Sequence, residues 1–594
     1  MRRRKFSVPI KIRESPKIKT DFSITVLRKR LFAITIAVAF LFCFVLGRLF
    51  YVQVIWGEDL QEKAIDQWTR EIPVVAARGE ITDTNGIVLA SNDDTYTVFV
   101  RKKAVKDMNA LCSALSETLS LNYDYVYKRL TETVSSEITV KKQVKKDEIN
   151  ALLSYGFEGV YYSRDNSRIY PYNDFLTQVL GFTSADGKGQ SGLELYYDKY
   201  LKGIDGEILY ETDIVGVEID GGKASYIPAT GGLNLKLTVD YEIQQLCEAA
   251  MSEAMTVHKA KSAEMIVLDP NSGAIRALTV KPSYNLNEIS RSDTEALYAL
   301  SRNRLLSDVY EPGSTFKILT AAANIEEYLG GNPKAFSPTH IFNSSRFRYI
   351  DGQKVKCWSN HSHGKHANLN LQGALNNSCN PIFVDIAMAL GKETMYKYVE
   401  LFNYGRTTGV DFAGEAQGMI LPVSAVQNVD LARIAFGQTI AVSGIQLAAA
   451  TAAAINGGKY YTPYFAEEIY SDGGIIAEKT EPKLKHRVIS EKASSILSDM
   501  LEGVVRDGSG KKAYIEGYRV AGKTGTAQKY ENGVIAAGKY VASFVGYFPA
   551  NAPKYLALVI IDEPQGEYYG STVAAPYAKQ VFEGIIDLKN MQPA

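Results

Sequence analysis

The sequence predicts an α+β protein hung from a single N-terminal transmembrane helix, and three features of the chain predict it. An uncharged apolar run lies near the N-terminus. The texture changes at Gly231-Gly232, from short strand-like runs among polar amphipathic helices to longer strands and Gly- and Ala-rich helices. In the second stretch, strand patterns at both ends enclose the helices, which calls for a largely antiparallel sheet flanked by helices.

Composition bounds the function before any motif is read. A chain of 594 residues with 46% hydrophobic and 22% charged residues is a folded protein of roughly two to four domains, not a disordered or fibrous one. Its 66 basic and 66 acidic residues leave no excess of positive charge for phosphates, so nucleic acid is excluded as a partner. Five cysteines in so long a chain do not make a disulfide scaffold.

The apolar run is Leu31 to Gly47, seventeen residues without a charge, continuing past Arg48 to Trp56. At about 1.5 Å per residue the stretch to Trp56 spans a bilayer if Arg48 snorkels. Residues 1–30 hold eleven Lys or Arg against two acids, which keeps this tail cytoplasmic. The long basic lead and the lack of a small-x-small site argue for an uncleaved anchor over 31–56. No second stretch returns the chain, so the rest is expected outside the cytoplasm.

Between Gly57 and Gly232 the chain offers no chemistry of its own. Asn85-Gly86 between apolar runs signals a hairpin. Leu111, Leu115 and Leu119 give helical spacing within Lys106–Leu130. Residues 187–192 fit G-x-G-x-x-G, but no strand leads into them, so a loop before a helix over Leu193–Leu201 is the better reading. After the break, Leu235–Val239 reads as a strand and Tyr241–Val257 as a helix. Met265–Leu268 and Ala274–Val280 read as a hairpin around Asp269–Gly273. Tyr540–Phe548 and Tyr555–Asp562 are further strands, joined by a short loop.

Three short patterns then follow in order. Ser314-Thr315-Phe316-Lys317, after Glu311-Pro312-Gly313, opens a helix whose apolar spacing continues through Ile325, so Ser314 and Lys317 share a face. A serine hydroxyl needs a base to become a nucleophile, and a lysine serves only if burial or a second cation lowers its pKa. Ser378-Cys379-Asn380 places a hydroxyl to relay a proton and an amide to hold Lys317 and a substrate amide. Lys523-Thr524-Gly525-Thr526, in a strand, brings the second cation. It adds hydroxyls at Thr524 and Thr526 for a carboxylate, and Gly525 for close approach of a substrate backbone. A backbone N–H beside Gly525 would complete an oxyanion hole with that of Ser314.

S-x-x-K, S-x-N and K-T-G in this order are the signature of active-site serine penicillin-recognising enzymes. The chain as a whole resembles a monofunctional class B penicillin-binding protein of the cell-division or sporulation type. The resemblance includes the anchor, Arg78-Gly79 with Asp83 and Asn85-Gly86, Arg168-Ile169-Tyr170-Pro171, Gly192-Leu193-Glu194, Asp269-Pro270 and Phe436-Gly437-Gln438. It implies a basic tail over 1–30, the anchor over 31–56, an elongated mixed pedestal domain over 57–232 that is dimerisation-like, and a β-lactamase-like serine transpeptidase domain over 233–594. It further implies a peptidoglycan D,D-transpeptidase in which Ser314 attacks the D-Ala-D-Ala bond of a stem peptide. The acyl group then passes to an amine of a neighbouring stem, and β-lactams acylate the same serine. The implied partners are nascent or lipid-linked peptidoglycan, a polytopic glycan polymerase and other proteins of the division machinery. The resemblance calls for no cofactor in the chemistry. It leaves as alternatives a D,D-carboxypeptidase, a β-lactam sensor or lactamase, and a non-catalytic divisome scaffold. Two positions depart from the family pattern: Thr84 stands where an arginine is usual, and Gln178 where a histidine is. The chain stops about thirty residues past the last strand, so no extra repeat domains are expected.

Cys357, His363 and Cys379 are candidate zinc ligands by residue type and spacing, with Asp351, His361 or His366 as the fourth. Some relatives of this kind are similar in placing zinc beside the site through the cysteine of S-x-N, and such a zinc would be structural.

Overall fold

The computed structural model describes residues 24–60, 63, 69–135, 137–211, 225–343, 345–359, 361, 366–531 and 534–593. The chain divides into two compact units, one of residues 1–72 and 208–226, the other of residues 73–207 and 227–594. In the first, an α-helix over Ile24–Phe50 continues as a wider π turn through Ile55, and none of its residues is buried. It is long and apolar enough to cross a membrane. The Arg48 guanidinium lies 5.4 Å from the ring centroid of Tyr51 and 5.9 Å from that of Trp56, which turns its charge toward the aromatic end of the helix.

The second unit is built on two sheets. One has five strands, in the order Ile275–Lys281, Ser262–Leu268, Tyr555–Asp562, Val534–Phe548 and Ala521–Glu531, with every pair antiparallel. Alternation along these strands covers both faces. Met265, Val267, Val559 and Phe544 pack with the helices Tyr241–His258 and Ala575–Leu588, while Ile266, Leu268, Leu558 and Val545 join the core under the helices Lys317–Leu329 and Gly444–Ile455. The α+β architecture expected of the sequence is the one observed.

The other sheet runs Ile476–Lys479, Ala466–Tyr470, Asn234–Leu237, Ile81–Thr82, Val88–Arg101 and Glu137–Val144, with Val160–Ile169 on the opposite edge of Val88–Arg101. Strand Asn234–Leu237 pairs in parallel with Ile81–Thr82, so this sheet crosses the texture change at Gly231-Gly232. A Cβ on Gly232 would lie 1.8 Å from the Leu201 carbonyl oxygen, which is why only glycine fits at the crossing.

Local departures from the sequence reading have local causes. Ser120 adopts a left-handed conformation (φ 54°), so the helical stretch from Lys106 splits into Met108–Leu119 and Tyr123–Glu132, each capped at its start by Asp107 or Asn122. The stretch after Ser191 likewise splits into Gly192–Tyr196 and Asp198–Leu201. The G-x-G-x-x-G segment turns backbone groups to its own neighbours: the Gly187 carbonyl accepts from Arg78 Nη1 at 2.9 Å, and the Gly189 N–H donates to Asp198 at 2.8 Å.

Glu194, fully buried, is gripped by two guanidinium groups, Arg78 Nε at 2.6 Å and Arg168 Nε at 2.6 Å. Arg168 also donates to the Gly79 carbonyl at 2.8 Å. Removing one member of such a cluster strands the others as unpaired buried charges. Glu194→Ala is therefore expected to lower the thermal midpoint of the protein, by an amount equivalent to about 3–5 kcal/mol. A midpoint equal to that of the parent would show that the cluster carries no net stability. The two positions that depart from the family pattern are satisfied locally. Thr84 Oγ1 donates to Glu467 at 2.9 Å, and Gln178 Nε2 donates to the carbonyls of Pro282 at 2.9 Å and Leu300 at 3.1 Å.

Candidate active site

Gly313–Phe316 form a 3-10 turn and Lys317 opens the α-helix Lys317–Leu329, so Ser314 sits one tight turn ahead of the helix rather than inside it. The turn is pinned from behind. Gly313 N–H donates to the Gly437 carbonyl at 2.9 Å, and Thr315 Oγ1 to the Pro312 carbonyl at 2.7 Å. Lys317 is fully buried, and its Nζ lies 3.0 Å from Ser314 Oγ, 3.0 Å from Ser378 Oγ, 2.8 Å from the Ser378 carbonyl and 2.6 Å from Asn380 Oδ1.

Ser378 and Cys379 lie between the helices Leu371–Asn376 and Asn380–Leu390, and Ser378 takes a left-handed conformation (φ 51°) that turns its hydroxyl into the cleft. Lys523 reaches the same hydroxyl from the edge strand Ala521–Glu531, with Nζ at 3.1 Å. One serine hydroxyl thus bridges two buried amines. Burial pulls the Lys317 ammonium down to about 8. Burial together with the charge of Lys317 pushes Lys523 well below its ordinary value. The sequence reading assigned the lowering at Lys317 to burial or a second cation; burial is the cause at Lys317, and the repulsion between the two lysines acts on Lys523.

Thr524 Oγ1 donates to Ser509 Oγ at 3.3 Å, and Thr526 Oγ1 accepts the Gly570 N–H at 3.0 Å. Gly525 lines the cleft, and a Cβ there would lie 2.4 Å from Ser543 Oγ and 3.0 Å from the Pro312 carbonyl, so its missing side chain also makes room for the Gly313–Phe316 turn and the neighbouring strand. The groups surround an open cleft of about 1050 Å³.

Beside it, Cys357, His361, His366 and Cys379 each bring one ligand atom, all within 4.8 Å of one another. Cys379 Sγ is 3.8 Å from His361 Nε2, and the two imidazoles stack with centroids 4.1 Å apart. His366 Nδ1 is buried without a hydrogen-bond partner. Both cysteines are free thiols, and contact with Cys379 draws the Cys357 thiol far below its ordinary pKa. Two sulfurs and two imidazoles at this spacing fit a tetrahedral zinc. The candidate set changes accordingly: both His361 and His366 join the cysteines, Asp351 instead accepts from Asn428 Nδ2 at 3.4 Å, and His363 lies outside the described residues.

The family described as the penicillin binding protein transpeptidase domain matches residues 264–583, and the penicillin-binding protein dimerisation domain matches residues 73–237. The chain belongs to the penicillin-binding transpeptidases. It is 36% identical to stage V sporulation protein D of Bacillus subtilis over 95% of this chain and 86% of that one. It is 28% identical to the peptidoglycan D,D-transpeptidase FtsI of Escherichia coli over 93% and 90%. Its fold is that of penicillin binding protein 2X from Streptococcus thermophilus, with a TM-score of 0.71 at 22% identity over 88% of this chain and 81% of that one.

The cleft of this penicillin-binding transpeptidase also has walls that motif reasoning passed over. Trp358 donates from Nε1 to the Asn377 and Ser378 carbonyls, both at 3.1 Å, and so braces the S-x-N turn. Tyr568 and Tyr569 line the cleft as well, with Tyr568 stacked on Tyr540 at 4.1 Å and the Tyr569 ring 6.3 Å from that of Trp358. Their only sequence signal is a tyrosine pair shortly after the last strand. Glu311 was read merely as part of the turn before Ser314. Its Oε1 accepts the Thr439 N–H at 2.8 Å and so ties that turn to the Phe436-Gly437-Gln438 segment.

Proposed function

We propose that this chain is a membrane-anchored peptidoglycan D,D-transpeptidase acting through an acyl-enzyme on Ser314. The observation that carries the reading is the convergence of Ser314, Lys317, Ser378, Asn380 and Lys523 through a chain of contacts of 2.6 to 3.1 Å, in which Lys317 meets Ser314, Ser378 and Asn380 and Lys523 meets Ser378. Lys317 in its neutral form keeps N–H bonds to Asn380 Oδ1 and the Ser378 carbonyl and leaves its lone pair to the Ser314 hydroxyl. Ser314 Oγ attacks the carbonyl of the penultimate D-alanine, and its proton passes to Lys317. The oxyanion forms against the backbone N–H groups of Ser314 and of the residue beside Gly525. Ser378, bonded to both lysines, hands a proton to the departing D-alanine nitrogen. Lys523, Thr524 and Thr526 hold the terminal carboxylate of the donor stem. An amine of a second stem then takes the acyl group and restores the serine. A β-lactam is opened by the same attack and stays on Ser314.

The domain reading is a pedestal over 57–232 carrying a transpeptidase domain over 233–594, with the basic tail cytoplasmic and the catalytic domain outside. A polytopic glycan polymerase and division proteins are the expected partners, because cross-linking acts on strands as they are made. A zinc ion held by Cys357, Cys379, His361 and His366 would tie the loop after Cys357 to the S-x-N turn, a structural task. Metal analysis of the purified protein is expected to find about one zinc per chain, lost in Cys379→Ser and Cys357→Ser. Equal zinc in parent and variants would rule this site out. Labelling of Ser314 by a fluorescent penicillin tests the enzyme reading as a whole.

A further inference from the structure

Among the described residues, no carboxylate lines the cleft that holds Ser314; its charged walls are Lys354, Lys356 and Arg433. A second cavity of about 690 Å³ adjoins it, and Gln528 and Tyr530 line both. Among the described residues one carboxylate lines this second cavity, that of Glu311, three residues ahead of Ser314. The remaining wall is largely apolar, with Ile420, Leu421, Ile440 and Val541. Lys529 lines it too, but its ammonium is already neutralised by Asp562 at 2.8 Å and Glu563 at 2.7 Å.

Glu311 is fixed from one side only. Oε1 accepts from the Thr439 N–H, whereas Oε2 is buried with no hydrogen-bond partner. Burial raises its carboxyl above the ordinary range, against the pull of the Thr439 N–H and of Arg433. A buried acceptor without a donor is costly, and a cationic donor recovers most of that cost.

Resting on the transpeptidase reading above, we infer that this second cavity seats the amine-bearing arm of the acceptor stem, with Glu311 as the counter-charge of its ammonium. A transpeptidase must sort two peptides of similar make-up, one offering a carboxylate end and the other an amine. The cationic cleft draws the carboxylate of the donor and repels an ammonium. The cavity beside it offers apolar wall for a methylene chain and a single anion at its end. The arm enters past Gln528 and Tyr530, so both strands approach the nucleophile turn from opposite sides of the same strand end. The ammonium gives up one proton to water as it leaves Glu311. Its nitrogen bonds to the acyl carbon, the bond from that carbon to Ser314 Oγ breaks, and the amine's remaining surplus proton passes to Oγ through Ser378 and Lys317.

The test uses the full chain in detergent, a D-alanyl thioester as donor, and a synthetic stem peptide with a free side-chain amine as acceptor. The readout is the ratio of amide to hydrolysed acid as acceptor concentration rises. Glu311→Gln, which keeps an oxygen for the Thr439 N–H, is expected to lower that ratio about tenfold and to raise the acceptor KM. Acid formation and penicillin labelling persist in it, and Glu311→Asp recovers part of the ratio. An unchanged ratio in Glu311→Gln overturns the inference. So does parallel loss of amide and acid in both variants, which would mark Glu311 as a support of the turn. Failure of the parent itself to form an acyl-enzyme would count instead against the transpeptidase reading.

Discussion

Ser314→Ala is expected to abolish covalent labelling by a fluorescent penicillin while leaving the thermal midpoint near that of the parent. Ser314 is only half-buried, and among the described residues its hydroxyl has one hydrogen-bond partner, Lys317 Nζ at 3.0 Å. Its loss opens no large cavity, and Lys317 keeps Ser378 and Asn380. The bond that labelling reports is the one to Oγ; Ser378 and Thr524 also bring hydroxyls to a buried lysine and line the cleft, so the loss of labelling in Ser314→Ala is what singles Ser314 out. Ser378 Oγ sits between two amines, the position a proton relay requires. Labelling that survives Ser314→Ala would refute the assignment of Ser314 as the nucleophile. Mass spectrometry of the labelled parent should place the adduct on the peptide that contains Ser314.

Lys317→Ala is expected to slow acylation by about 10²–10⁴-fold, the usual worth of a positioned general base. The parent's own pH profile carries the same information. Lys317 is a base only when neutral, and burial brings its pKa down to about 8. The acylation rate should therefore rise with pH and level off above about 8, the reverse of what a group needed in its protonated form would give. In Lys317→Ala that rise should vanish together with the rate. A profile flat across the range from about pH 6 to 9 in the parent would show that Lys317 does not lose its proton in the rate-setting step.

Much of this site was legible because its chemistry is carried by residue types at short spacings. A serine and a lysine three apart on a helical start share a face whatever the rest of the chain does, and the 3-10 turn at Gly313–Phe316 keeps that relation. Ser378 and Asn380 flank a helix start for the same local reason. What short spacings do not show is what the neighbours do. Gly525 was read from its own missing side chain, whereas the groups that crowd it, Ser543 and Pro312, arrive from other elements. The metal candidates were ranked by spacing along the chain, but the fold gathers His361 and His366 together and leaves Asp351 aside.

The sequence by itself determined the long apolar helix near the N-terminus, four strand stretches of the five-stranded sheet, and which serine and which two lysines the fold would bring together. Each of these depends on periodicity or on side-chain chemistry within a few residues. Only the tertiary structure decided that Asn234–Leu237 would complete a sheet begun at Ile81, that one hydroxyl would lie between two amines 206 positions apart in the chain (Lys317 and Lys523), and that Glu311 would face a separate cavity with one oxygen unpaired. Those outcomes turn on which distant segments meet, and that is set by the burial of whole faces, which no short window of sequence contains.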